Sequence, residues 1–476
     1  MWEKYYSVTS IEQALDILDK EQEKVRIIAG GTDLILEMKQ GIRKDIHSLV
    51  DISRIPDLAY ISEDGDGTIR LGAMVTHNHC LASRLLKESA FPLVQACFSI
   101  GAPQIRNVGT VAGNLITASP ANDTIAALMA MNAKVVLRNK RSQRTIPLED
   151  FYLGVRRTLM QPDEMLVEIQ FDKLQNHQKG IFKKHMLRQA HGISLVNTAV
   201  VLSLNNHQIE KASIALGAVN QTVIRAEIAE QFLIGKELDS SVIQKCAELA
   251  ITTSQPINDL RASEKYRKRL LNILIKDCLS EIMLGKEKDS FPERPVLLWG
   301  KDGQKASTLD GQQVHDLATP IITTINHKTF QLEHGQNDSL LNLVRDQAGL
   351  VGSKKGCGEG ECGACTLYLD GLPVLSCLIP APRAHGAEIT TIEGISLDNE
   401  LHPVQKMFAE RGAVQCGYCT PGFIMSAVKL LEEIPEPSES QIRQGLGGNI
   451  CRCTGYYRII DAIEQAAMKK PIKIND

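Results

Sequence analysis

Residues 356–377 read GCGEGECGACTLYLDGLPVLSC, and the four cysteines in this stretch announce the architecture of the surrounding domain. Cys357, Cys362, Cys365 and Cys377 follow C-x4-C-x2-C with a fourth cysteine after eleven more residues, the plant-type spacing of a [2Fe-2S] cluster. The loop is glycine-rich because backbone N–H groups must come close to sulfide and thiolate, and side chains would block that approach. Gly358, Gly360 and Gly363 also spell G-x-G-x-x-G. They interleave with the cysteines and open no amphipathic helix, so this is not read as a dinucleotide fingerprint.

A second set lies downstream: Cys416 and Cys419 as C-x2-C, then Cys451 and Cys453 as C-x-C, separated by 31 residues. The chain leaves the site, turns back and completes it, and four thiolates again suit a [2Fe-2S] center. Structural zinc favors two short C-x2-C knuckles and fits these spacings poorly. Nothing resembles a secretory signal, so disulfides are not expected. The remaining cysteines, Cys80, Cys97, Cys246 and Cys278, are isolated and read as small buried hydrophobes.

At 476 residues the chain is long enough for several domains, and its 43% hydrophobic content supports real cores. A net charge of −3, with no long basic tract, argues against nucleic-acid binding. No apolar run approaches the roughly 18 residues of a membrane span. A soluble, cytoplasmic protein with reduced thiols is expected. Residues 287–320 are polar, carry Pro and Gly and lack sustained periodicity, which marks a linker between an N-terminal half and the cysteine-bearing half.

In the N-terminal half, Thr9 and Glu12 form a capping-box pattern ahead of a helical face made by Ile11, Ala14, Leu15 and Leu18. The strand-like VRIIA (25–29) then runs into Gly30, Gly31, Thr32 and Asp33 before the helical LILEMK. A helix N-terminus leaves N–H groups unpaired, so such a turn suits a phosphate. GTVAGNLITASPANDT (109–124) supplies a second small-residue turn through Thr110, Gly113 and Asn114. Ser119 reads there as an N-cap with Pro120 at the first helical position. Two such turns suit a long diphosphate ligand, with Asp123 available to a ribityl or ribose hydroxyl. Two ordinary loops are the competing reading.

IIAGGTDL (27–34) and RNVGTVAGNLITASPANDT (106–124) resemble the flavin-binding subunit of the molybdenum hydroxylases, the family of xanthine dehydrogenase, aldehyde oxidase and aerobic carbon monoxide dehydrogenase. GCGEGECGACT (356–366), QCGYCTPG (415–422) and GGNICRCTGY (447–456) resemble that family's iron–sulfur subunit. The resemblance covers nearly the whole chain except the linker. It implies a multidomain α+β protein. A vanillyl-alcohol-oxidase-like FAD domain (1–175) with an α/β C-terminal lobe (176–286) would precede the linker (287–320). A β-grasp ferredoxin-like [2Fe-2S] domain (321–397) and a small helical-bundle [2Fe-2S] domain (398–476) would follow.

The resemblance further implies that FAD meets Ala29, Gly30, Gly31, Thr32 and Asp33 and also Thr110, Gly113, Asn114 and Asp123. Either Lys183 or Lys184 would reach the flavin from the lobe. Helical patterning supports the last domain independently: Val404, Met407 and Phe408 share a face after Pro403, and Phe423, Ala427, Val428 and Leu431 share another after Pro421.

The family's substrate chemistry occurs at a molybdenum–pterin cofactor in a separate large domain, for which no segment here remains. A molybdenum–pterin partner subunit and a hetero-oligomer are therefore expected, with Gln415 and Cys453 at the partner interface. Electrons would pass from molybdenum through the helical-domain cluster, the ferredoxin-type cluster and FAD to NAD+ or another acceptor. The expected function is the electron-transfer subunit of an oxidoreductase of the xanthine or purine dehydrogenase type. A free-standing FAD and iron–sulfur carrier, or the same subunit serving an aldehyde, nicotinate or carbon monoxide dehydrogenase, are the alternatives.

Two departures stand out: flavin precedes the clusters, the reverse of fused eukaryotic xanthine dehydrogenases, and Ala112 stands where many relatives carry Gly. His77, His79, His185 and His191 are assigned no role, since no Cys or carboxylate completes a ligand set.

Overall fold

A computed structural model describes residues 1–303, 309, 311–396 and 400–468. The chain divides into two compact units, one of Met1–Pro56, Gly101–Gly109 and Pro295–Asp476, the other of Asp57–Ile100 and Thr110–Arg294.

The first unit begins with a small sheet in the strand order Gln313–His315, Lys4–Ser7, Ser48–Asp51, Val25–Ile28. The last three strands run parallel, which requires crossovers, and the helices Ile11–Glu21 and Leu34–Lys39 are placed between them in sequence. The first helix is capped by Ser10, whose side chain accepts from Gln13 N, not by Thr9. Thr9-x-x-Glu12 and Ser10-x-x-Gln13 are overlapping cap patterns, and the one that starts the helix at Ile11 buries Ala14, Leu15, Ile17 and Leu18.

The same unit carries a five-stranded mixed sheet ordered Lys328–Leu332, Ile321–Ile325, Glu388–Thr390, Thr366–Leu369, Leu372–Leu375. The central pairing of Ile321–Ile325 with Glu388–Thr390 is parallel and the rest antiparallel, the pattern of a β-grasp domain. Four helices, Pro403–Glu410, Thr420–Glu433, Glu439–Gly445 and Tyr457–Met468, complete the unit around a core of Phe408, Phe423, Ile442 and Ile463.

The stretch expected to be a linker is more than a tether. Val296 and Leu298 are fully buried in that helical core, and Gln313–His315 pairs antiparallel with Lys4–Ser7. The apolar run at 296–299 has no period of its own to betray it, because its burial depends wholly on residues distant in sequence. A further core packs Trp2, Tyr5, Ile28, Ile35 and Leu49 of the first sheet and its helices with Leu341, Cys365, Cys377 and Leu378. Residues 1–56 are thus grouped with the cysteine-bearing part, where the sequence suggests one flavin domain to residue 175.

The second unit contains a five-stranded antiparallel sheet, Ile61–Glu63, Thr68–Gly72, Met165–Asp172, Lys134–Arg138, Gln143–Pro147. Its lobe has a four-stranded antiparallel sheet, Gln178–His185, Val196–Asn205, Gln208–Gly217, Ile224–Arg225, covered by Glu227–Leu233, Ser240–Thr252 and Glu264–Leu284. The helix after the second small-residue turn spans Val111–Thr117, with Ala112 buried at its second position. The next helix starts at Asp123 with Asn122 at the N-cap, not at Pro120. Ala118 in the left-handed region ends the preceding helix, and Ser119–Asn122 is spent on a turn closed by Asn122 N donating to Ser119 O. Cys80, Cys97, Cys246 and Cys278 are all buried.

Candidate functional site

The loop 356–365 wraps itself around its own sulfurs. Gly358, Gly360 and Gly363 all have positive φ, near +70°, where a side chain would be strained. This coiling aims amides inward: Glu359 N and Glu361 N each donate to Cys357 Sγ at 3.3 Å, and Cys357 N donates to Cys362 Sγ at 3.3 Å. Cys357 is pushed down to about 4, first by its hydrogen bond with Cys362 and then, against burial, by those amides. Cys362 is raised by its bond to Cys357 and by burial. Cys365 and Cys377 form the second pair, with Cys365 raised and Cys377 lowered by the hydrogen bond between them. Cys357 and Cys362 thus make one hydrogen-bonded pair and Cys365 and Cys377 another, and the charge of Cys357 acts to raise Cys377.

The second set is built at the start of the helix Thr420–Glu433, where Cys419 occupies the N-cap position and Pro421 lies in the first turn. Cys453 Sγ lies 3.5 Å from Cys416 Sγ. Burial pushes Cys419 up to about 12, helped by its hydrogen bond with Cys451. Burial also acts to raise Cys451, but Thr454, through Oγ1 at 3.2 Å and N at 3.4 Å, and Cys453 N at 3.4 Å hold it low. Tyr456, in the left-handed region, brings its hydroxyl within 3.2 Å of Cys451 N. Gln415, Cys416 and Cys453 are exposed, while Cys451 is buried.

The two sets are joined by backbone. Ile450 N, beside Cys451, donates to Cys362 O at 3.0 Å, and Tyr418 Oη donates to Lys355 O at 2.7 Å. Each set offers four thiols, one or more held toward thiolate by amide donors, and that is the donor chemistry a [2Fe-2S] cluster takes.

The flavin candidates fall in both units. In the first, Ala29–Asp33 turn between the strand Val25–Ile28 and the helix Leu34–Lys39, as expected. A Cβ at Gly30 would lie 2.1 Å from Val108 O, and Gly31 has φ +70 with Leu378 O 2.9 Å from its Cβ position, so both positions require glycine. In the second unit, Thr110 caps the helix Val111–Thr117 by accepting from Gly113 N at 2.9 Å. Asn114 Oδ1 accepts from Thr124 Oγ1, and Asn114 O accepts from Asn122 Nδ2 at 2.6 Å.

The structure separates the two lysines. Lys184 Nζ donates to Asp123 Oδ2 at 2.6 Å, with both side chains about 95% buried. Ser194 Oγ and Asn197 Nδ2 also donate to Asp123, at 2.6 and 3.1 Å. Lys183 instead pairs with Glu281 Oε1 at 2.5 Å. Neighbors on a strand point to opposite faces, and only one face meets Asp123. Among the histidines, His79 closes a capping box with Thr76.

Sequence reasoning overlooks Lys39, Gln104 and Asn449. Lys39 Nζ donates to Cys377 O at 2.7 Å and Gly358 O at 3.1 Å. Gln104 Nε2 bonds Ser426 Oγ at 2.9 Å and Asn449 Oδ1 at 3.1 Å, and Asn449 Nδ2 donates to Gly363 O at 3.2 Å. No local motif distinguishes these residues, since their partners are remote in sequence.

Comparison with known proteins gives these features a family. Residues 2–172 match the FAD binding domain in molybdopterin dehydrogenase, and 182–282 the CO dehydrogenase flavoprotein C-terminal domain. Residues 323–382 match the 2Fe-2S iron-sulfur cluster binding domain, and 391–464 a [2Fe-2S] binding domain. The carbon monoxide dehydrogenase medium chain of Hydrogenophaga pseudoflava is 30% identical over 277 residues, which is 58% of this chain and 96% of that one. The chain belongs to the molybdenum hydroxylase family.

Within that family it is an electron-transfer subunit with one FAD-binding and two [2Fe-2S]-binding domains. The nicotinate dehydrogenase small FeS subunit of Eubacterium barkeri is 47% identical to this molybdenum hydroxylase chain over 130 residues, 27% of this chain and 83% of that one. The solved carbon monoxide dehydrogenase from Hydrogenophaga pseudoflava, in a form lacking the Mo-pyranopterin moiety, matches at 30% identity with a TM-score of 0.57. The match covers 59% of this chain and 96% of that one. No helix among the described residues is long and apolar enough to cross a membrane.

Proposed function

We propose that this subunit serves a molybdenum–pterin partner as its electron outlet. Cys357, Cys362, Cys365 and Cys377 would ligate one [2Fe-2S] cluster, and Cys416, Cys419, Cys451 and Cys453 the other. FAD would be contacted by Ala29, Gly30, Gly31, Thr32, Asp33, Thr110, Gly113, Asn114 and Asp123, with Lys184 rather than Lys183 as the lysine on that side. When bound, these groups supply single-electron steps from the partner to FAD and then two-electron release to NAD+ or another acceptor.

The chain's own part is to set the ground for those steps. Amides of Glu359, Glu361, Cys453 and Thr454 favor thiolate over thiol before any metal arrives. The Ile450 N–H to Cys362 O bond holds the two ligand loops in fixed register, one residue from Cys451. Asp123, satisfied by Lys184, Ser194 and Asn197, is kept as a buried carboxylate in a defined orientation.

The observation that carries the proposal is that the eight motif cysteines pair as Cys357–Cys362, Cys365–Cys377, Cys416–Cys453 and Cys419–Cys451, with amides donating to Cys357, Cys362 and Cys451, in one chain with an FAD-binding domain. We take the xanthine or purine dehydrogenase type as the working assignment. The iron–sulfur subunit of a xanthine dehydrogenase from Escherichia coli O157:H7 is 45% identical over 151 residues, 31% of this chain, close to the 47% of the nicotinate subunit over 130, so this part of the chain does not distinguish the two substrates. Purification from the native host tests all parts. A larger molybdenum-containing chain should accompany this one in fixed ratio, with about four irons and one FAD per copy. Cys453→Ser should abolish one of two electron paramagnetic resonance signals. Loss of both, or of neither, would refute the grouping, and a molybdenum-free monomer in native extract would refute the partner.

A further inference from the structure

The helix Leu34–Lys39 leaves the turn at Ala29–Asp33 and points its last side chain at the first cysteine set. Lys39 Nζ spans the loop by donating to Cys377 O at 2.7 Å and to Gly358 O at 3.1 Å. The two carbonyls come from opposite halves of the set, since Gly358 follows Cys357 and Cys377 is its last member. The helix beneath is firmly seated: Ile35 is buried, and Leu34 and Met38 pack in the same core as Cys365, Leu375, Cys377 and Leu378. Lys39 is itself exposed, and its two bonds to loop carbonyls are what tie the ammonium to the loop.

Charge beside a cluster acts on its reduction potential, because reduction adds negative charge that a nearby cation stabilizes. The surrounding charges are mixed. Glu359 and Glu361 sit within the loop, Lys354 Nζ is bound to Val351 O and Gly352 O, and Lys355 is exposed. Lys39 differs from Lys354 in being bonded to the carbonyl of a cysteine of the set. A cavity of about 360 Å³ opens beside it, lined also by Lys355, Cys357, Glu359 and Cys377, so water and salt reach the site.

We propose that Lys39 is a positioning residue that raises the reduction potential of the ferredoxin-type cluster, fastening the cluster loop to the helix that follows the flavin turn. This inference rests on the ligand reading of Cys357, Cys362, Cys365 and Cys377. The same contact makes the cluster's readiness to accept an electron depend on the seating of the Ala29–Asp33 segment.

Anaerobic redox titration of the full chain, followed through the resonance signal that survives Cys453→Ser, tests it. Lys39→Met and Lys39→Gln should both lower the midpoint potential of that signal, with the difference from wild type shrinking at high ionic strength. Lys39→Arg should stay near wild type, and the other cluster's midpoint should not move. Lys39→Gln keeps a donor for Cys377 O without the charge, so it decides the matter should Lys39→Met fail to load iron. A wild-type potential in Lys39→Gln, or loss of the signal in Lys39→Arg, overturns the proposal. Wild-type protein with a single cluster signal would instead overturn the ligand reading beneath it.

Discussion

Replacing Gly422 by alanine sets two physical effects against each other, and the structure says which should prevail. Gly422 lies inside the helix Thr420–Glu433, where helix propensity alone favors Ala over Gly by about 1 kcal/mol. Its Cβ position, however, is 2.1 Å from Gly363 O and 3.1 Å from Asn449 Nδ2. Gly363 lies between Cys362 and Cys365 at φ +67, and its own Cβ position is filled by Gly448 O at 2.2 Å. The obstacle is backbone on both sides, so no side chain can swing clear. Restoring ordinary contact means opening the seam by more than ~1 Å.

Overpacking of this kind costs about 1–3 kcal/mol. The strained Asn449 Nδ2 to Gly363 O bond adds about 1 kcal/mol when broken. After the propensity gain is subtracted, Gly422→Ala should destabilize the unit by about 1–3 kcal/mol, roughly 2–12 °C in melting temperature for a unit of this size. Thermal unfolding of anaerobically prepared protein by circular dichroism gives the shift. Iron content and the resonance line shape of the first cluster report the displaced loop. A melting temperature at or above wild type, with both signals unaltered, would show that the seam is not close-packed and refute the reasoning.

Lys184→Met should leave Asp123 buried without its cation, at a cost of about 3–5 kcal/mol locally, and should lower flavin content read from the yellow flavin absorbance, whereas Lys183→Met should retain it. Equal loss from both variants would contradict the assignment. His315 is buried, its ring nitrogens have no hydrogen-bond partner among the described residues, and burial, then His385 and Arg54, lower it to about 4, with Asp316 opposing. The fold thus keeps it neutral. Stability from that source should be full above about pH 6.5 and decline as pH falls toward 4, by up to about 3 kcal/mol. Urea midpoints across that range should flatten in His315→Phe, and an unchanged slope would count against it. Gln104→Leu should cost about 1–3 kcal/mol by removing the donor shared by Ser426 Oγ and Asn449 Oδ1, measurable as a shifted denaturant midpoint. A midpoint within error of wild type would mean the network is dispensable.

The helix Leu34–Lys39 and the turn before it are legible in the sequence because strand, glycines and helix are consecutive and each has a local signature. The same holds for the helices opening at Pro403 and Thr420, where proline and apolar spacing agree. The cap at Ser10 differs by one residue from the expected Thr9, since two overlapping box patterns are locally equivalent and burial of Ile17 and its neighbors breaks the tie. The helix at Asp123 starts later than the Ser-Pro pair suggests, because that N-terminal signal is used by a turn after Ala118. Val296 and Leu298 are illegible because four apolar residues in a polar stretch, 296–299, define no face.

The amino-acid sequence by itself supplied the proposed donor sets. Ligand spacing within C-x4-C-x2-C and C-x2-C with C-x-C is a short-range property, bounded by how far a few residues of backbone can reach. Which strand face Lys184 shares with Asp123, which carbonyls Lys39 spans, and which unit claims residues 1–56 were decided only by tertiary structure. Those outcomes depend on strands and helices far apart in the chain, and a local pattern carries no information about the partner that will close against it.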